Sequence, residues 1–127
     1  MQEKILYEYA VIRIVPKVER EEFINAGIMI YSKEKNVILI KTYFDEKKFD
    51  AFESELNKEQ VQLNLRSFEL IANGKKEGGP IAKMDTASRF RWMTAVRSSC
   101  IQTSRPHPGF SDDLEETLNR LFEELIL

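Results

Sequence analysis

The stretch LYEYAVIRIV, Leu6 to Val15, decides how the rest of the chain is read. Tyr7, Tyr9, Val11, Arg13 and Val15 alternate with Glu8, Ala10, Ile12 and Ile14. Successive side chains of a strand point to opposite faces, and β-branched and aromatic residues suit its pleat. Both alternating sets are largely apolar, so this strand is expected at the centre of a sheet covered on both sides. Pro16, with no N–H to donate, stops the ladder. Arg13 is the residue out of place in it.

If that strand is central, its neighbours must be short strands and amphipathic helices. Val18 to Asn25 reads as a charged connector, Gly27 to Tyr31 as a second strand, Ser32 to Asn36 as a polar turn and Val37 to Tyr43 as a third strand. Together they predict an antiparallel meander. Asp45 can cap a helix to Leu56 with Phe49, Phe52 and Leu56 inward. Lys58 to Asn73 places Val61, Leu65, Phe68 and Ile71 at helical spacing, with Asn73-Gly74 as its stop. Asp85 can cap a third helix to about Val96. Its inward residues would be Phe90, Met93 and Val96, with Trp92 packed beside them. Ser99 to Thr103 suits a fourth strand, whereas Arg-Pro-His-Pro-Gly, 105 to 109, reads as irregular chain. Ser111 is expected to cap a last helix, with Asp112 and Asp113 in its first turn. Leu114, Leu118, Leu121, Phe122 and Leu125 form its apolar stripe. The expected fold is α+β: a mostly antiparallel sheet of three to four strands with three to four helices packed on it.

The bulk composition narrows the function classes. The chain has 127 residues, 43% of them hydrophobic, which suits one domain over 1–127 with a proper core. A net charge of -2 argues against bulk electrostatic binding to nucleic acid. The lone Cys100 cannot form an internal disulfide, which fits a reducing compartment. The N-terminal segment lacks an uninterrupted apolar core for secretion, and apolar runs such as VILI are far short of a membrane span. A cytoplasmic protein with no membrane contact is therefore expected.

Two blocks resemble one family. Tyr7 to Tyr31 carries Tyr-x-Tyr-Ala-Val-Ile-Arg-x-x-Pro followed by Arg-x-Glu-Phe-x-Asn-x-Gly. Gly79 to Asp113 carries Gly-Pro-Ile, Arg-Phe-x-Trp, Thr-Ala-x-Arg-Ser-Ser, Gln-x-Ser, His-x-Gly and Asp. These patterns resemble the bacterial domain family DUF3037 over nearly the whole chain. They fall on Arg13, Arg20, Asn25 and Gly27 in the first block. In the second they fall on Arg89, Trp92, Arg97, Ser98, Ser99, Gln102, His107 and Gly109. Pro106 departs from the pattern, which more often has an aliphatic residue there. The resemblance implies no defined activity. It implies a bacterial protein encoded beside HipA-like kinases, and hence such a kinase as partner.

The chemistry-bearing residues concentrate between Arg89 and Phe110, which holds four arginines and the only tryptophan, cysteine and histidine. Arg97-Ser98-Ser99 can grip a phosphate or carboxylate, or simply cap the third helix. An arginine inside an apolar strand needs an anion or carbonyls, so Arg13 either pairs with Glu22 or Asp112 or helps hold a ligand. His107, between two prolines, can act as an acid/base or hydrogen-bond the backbone. Cys100 sits in an apolar segment and reads as packing rather than as a thiol partner of His107. Asp112 and Asp113 read as capping groups rather than cation ligands, so no metal is expected. No phosphate-binding or dinucleotide glycine motif is present, so no cofactor is expected. Arg89, Arg91 and Trp92 can stack a base, or Trp92 can turn inward. From Asp85 to Phe110 there are four arginines against one aspartate, and from Ser111 to Leu127 six acids against one arginine. The last helix can therefore offset the basic segment, which weakens the case for nucleic acid.

These residues predict one basic-polar, anion-binding pocket formed by Arg13, Asn25, Gly27, Arg97, Ser98, Ser99, Gln102 and His107, with Asn25 to Gly27 as a tight turn. The leading functional expectation is a non-enzymatic accessory protein of a HipA-like kinase in a toxin–antitoxin or phage-defence setting. A small phosphoryl-transfer or hydrolytic enzyme using His107, and an RNA or single-strand binder, are the alternatives.

Overall fold

The computed structural model describes residues 4–17, 22–95 and 99–127. The order of elements is β1 (Ile5–Lys17), β2 (Glu22–Ser32), β3 (Val37–Thr42), α1 (Glu46–Ala51), α2 (Lys58–Ala72), α3 (Thr86–Thr94), β4 (Ile101–Thr103), β5 (His107–Ser111) and α4 (Leu114–Leu125). Two short 3-10 turns, Lys76–Gly78 and Pro80–Lys83, join α2 to α3. The fold is α+β: a five-stranded antiparallel sheet with helices on both faces.

β1 is central, as its two apolar faces require. β2 runs along one side of it and β3 lies beyond β2. The other side of β1 is shared: β5 pairs with Ile5 to Tyr9, and β4 with Ile12 to Ile14. Ser104 holds the break between them. Its N–H donates to the Val11 carbonyl at 2.9 Å, and its Oγ accepts from the Val11 N–H at 2.9 Å. Ala10, Ile12 and Ile14 face α1, α2 and α3, where Val61, Leu65, Phe68, Phe90 and Met93 complete one core. Tyr7 and Val11 face α4, with Leu114, Leu118, Leu121 and Phe122. Pro16 does not stop the ladder as expected: β1 runs on to Lys17, which pairs with Glu22, and the missing donor shows instead as a register slip between Ile14 and Lys17.

Local chemistry sets the helix starts. Asp45, Asn57, Asp85 and Asp113 each accept a backbone N–H from the residue three places on. The last of these corrects an expectation. Ser111 does not cap α4. Its Oγ takes the Asp113 N–H at 2.9 Å and bonds the Thr117 hydroxyl, while Glu115 and Glu116 fill the first turn.

Three further expectations change. β2 begins at Glu22, so the second half of the segment read as a connector, Glu22 to Asn25, is strand; Phe23 is 45% exposed, which blurred the alternation. His107 to Ser111 is strand, not irregular chain. Two prolines disguise it, but an edge strand has a side that needs no donor. Trp92 does not join Phe90 and Met93 in the core; it is 36% exposed. Among the described residues no helix is long and apolar enough to cross a membrane.

Candidate functional site

Strand pairing brings part of the expected site together. Arg13 on β1 lies opposite Asn25 on β2 and opposite Gln102 on β4, so three polar side chains form a row across the sheet. Residues directly opposite each other share a face. Arg13 has the parity of Tyr7 and Val11, so the row is on the α4 side. Asn25 reaches the end of that helix, donating from Nδ2 to the Leu125 carbonyl at 3.2 Å. Gln102 is held by its own turn, with Nε2 donating to the Ser99 carbonyl at 2.9 Å. The Ser99 hydroxyl accepts the Ile101 N–H at 3.2 Å. Ser99 thus acts as a brace for Gln102.

Arg13 has an unusual setting. Its guanidinium carbon lies 4.1 Å from the centre of the Phe23 ring, a cation–π contact. It forms no ion pair among the described residues; Asp112, one expected partner, is 3.0 Å from Lys4 instead. The Arg13 Nε and the Asn25 Oδ1 are both buried without a hydrogen-bond partner. Such atoms are uncommon in folded proteins. Phe23 and Asn25 also line a cleft of about 380 Å³ with Lys48, Phe52, Leu125 and Leu127. Phe23 and Lys48 were not legible as site residues. Phe23 falls in what reads as a connector, and Lys48 is one of two adjacent lysines on a short charged helix.

The remaining candidates go elsewhere. His107 pairs with Tyr9, their ring centres 5.1 Å apart. Tyr9 precedes Arg13 by four residues on β1, about 13 Å along a strand. Arg13 leans the other way, toward Phe23. Gly27 is not in a turn. It sits inside β2, where a Cβ would come within 2.7 Å of the Lys41 carbonyl oxygen, so its role is the close approach of β3. Arg20, Arg97 and Ser98 lie outside the described residues.

The thiol and stacking candidates are occupied. Asn64 donates to the Cys100 Sγ at 3.2 Å, and Cys100 packs against the core. Arg89 is a structural pin. Its Nη1 donates to the carbonyls of Ile71 and Ala72 at 2.7 and 2.8 Å, its Nε to Met84 and its Nη2 to the Thr86 hydroxyl. Those bonds tie α3 to the end of α2 and leave Arg89 unsuited to a stacking platform with Trp92. Among the described residues no three His, Cys, Asp or Glu side chains gather as metal ligands.

The assembled site is therefore an arginine between two carboxamides, on the open end of a helix-clad antiparallel sheet. The chain matches the family model of DUF3037, a protein of unknown function, over residues 9–126, and it belongs to that family. Comparison with curated proteins gives no match, and neither does comparison with solved structures.

Proposed function

We propose that this protein is a non-enzymatic accessory that binds a protein partner and takes an acidic group of that partner at the Arg13–Asn25–Gln102 row. The partner implied by the family resemblance is a HipA-like kinase, in a toxin–antitoxin or phage-defence setting. One observation carries the reading: Arg13 stands half-buried with carboxamides on both sides and no acid against it among the described residues. A guanidinium held this way binds a carboxylate or phosphoryl group through parallel N–H···O bonds. The side-chain amide of Gln102, fixed by Ser99, is placed to add a donor. The separation of His107 from Arg13 favours recognition over acid–base chemistry at a shared reacting atom. The bonds of Arg89 to helix carbonyls favour a protein partner over a stacked nucleic-acid base.

Co-purification with the kinase encoded beside the gene tests this. Wild type is expected to retain the kinase, and His107→Ala to retain it as well. Arg13→Ala is expected to weaken binding by tenfold or more, roughly what truncating one side of a buried charged contact does. Equal retention by Arg13→Ala would remove the row from the interface. A kinase that never co-purifies would remove the partner.

A further inference from the structure

The two outer edges of the sheet are built differently. The edge formed by β4 and β5 is broken at Ser104, its strands are short, and Pro106 and Pro108 interrupt its donors. Natural sheets blunt their edges with such devices against unwanted pairing. The β3 edge has none of them. It is a continuous six-residue strand, VILIKT, without proline. Its single charge does not guard it either. The Lys41 Nζ donates to the Asn119 Oδ1 at 3.1 Å and lies 4.6 Å from the centre of the Phe122 ring, folded onto α4.

The direction of the free backbone groups follows from the pairing with β2. Thr42 lies opposite Gly27, and the next N–H, that of Tyr43, donates to the Ala26 carbonyl at 2.8 Å. Thr42 is thus at a non-hydrogen-bonded position toward β2, and by the period of two so are Ile40 and Ile38. The N–H and C=O groups of these three residues point outward. Val37, Leu39 and Ile40 remain half-buried, with one flank of each side chain lacking a neighbouring strand.

We infer that β3 pairs with β3 of a second copy of this chain, antiparallel about a two-fold axis at Ile40. The strand's own sequence favours self-pairing. This register sets Ile40 opposite Ile40, Ile38 opposite Thr42 and Leu39 opposite Lys41. Every outward donor and acceptor of Ile38, Ile40 and Thr42 then meets a partner, and no like charges face each other. A two-fold perpendicular to the sheet keeps both helix-covered faces continuous across the junction. This interface is separate from the Arg13 row and does not depend on its role.

Amide hydrogen exchange on the unmodified protein, beside sedimentation velocity, tests the pairing. The expected result is a concentration-dependent dimer in which the amides of Ile38, Ile40 and Thr42 exchange about 100-fold more slowly than when diluted to monomer. Ile40→Lys sets like charges against each other at the axis and is expected to yield a folded monomer by circular dichroism. Phe110→Lys, on the opposite edge, is expected to leave the dimer intact. A protein that stays monomeric at every concentration reached overturns the inference. So does a dimer in which those three amides exchange as fast as in the monomer, or one broken by Phe110→Lys alone.

Discussion

Arg89 and Arg13 are half-buried arginines on opposite sides of the same sheet, and they are treated in opposite ways. Arg89 has four acceptors, the carbonyls of Ile71, Ala72 and Met84 and the Thr86 hydroxyl. Arg13 has an aromatic ring, and its Nε is buried without an acceptor. A guanidinium saturated by the fold contributes to stability. One left short of acceptors costs stability. Sequence position alone does not separate them, since both stand within family-like motifs.

The contrast can be broken by experiment. The largest effect is expected from Arg89→Met, which removes charged donors from the end of α2 and leaves carbonyls without partners. A loss of about 3 kcal/mol in urea unfolding is expected. Gly109→Ala asks whether the α4 side is tightly packed apart from Arg13. A Cβ there would meet the Tyr7 hydroxyl at 2.5 Å. Tyr7 is buried, so a loss of about 2 kcal/mol should appear in the same assay. Arg13→Met should lie between neutral and about 1 kcal/mol more stable, because loss of the ring contact is offset by removal of an unsatisfied buried donor. A destabilisation as large as that of Arg89→Met would show that Arg13 is structural, and the proposed interface would lose its basis.

The smallest effect concerns the start of α3. The Ser88 backbone N–H bonds the Asp85 carboxylate and holds its pKa below the ordinary 3.8, with the charges of Arg91 and Arg89 adding in the same direction. A depressed folded-state pKa adds stability above the unfolded value. That stability is lost as pH falls through the folded value. Asp85→Asn keeps a cap and removes the charge, so its urea midpoint should fall less steeply than that of wild type below about pH 4. Parallel curves would show that this cap carries no charge-dependent stability.

Legibility followed burial. The central strand, the helices over Lys58–Ala72 and Thr86–Thr94 and the stripe of α4 were readable because each buries a continuous apolar face. β5 was not, because proline is a strong local signal against a strand and edge position is a tertiary fact. The first residues of β2 were lost because Phe23 and Asn25 line a cleft rather than a core. For the candidate site, Arg13 stood out as a charge in an apolar strand, Asn25 and Gln102 were grouped with it, and strand pairing places those three side by side. The sequence also grouped His107 with them, which the register carries to Tyr9, and Gly27, which stays beside the row but serves the close approach of β3.

By itself the sequence determined an α+β chain built on one apolar strand, because hydrophobic period is a local property and burial enforces it. Only the tertiary structure decided which arginine is spent on the fold and which is left open. That choice depends on which carbonyls and carboxamides come within about 3 Å of a guanidinium, and strand register and helix packing set those distances.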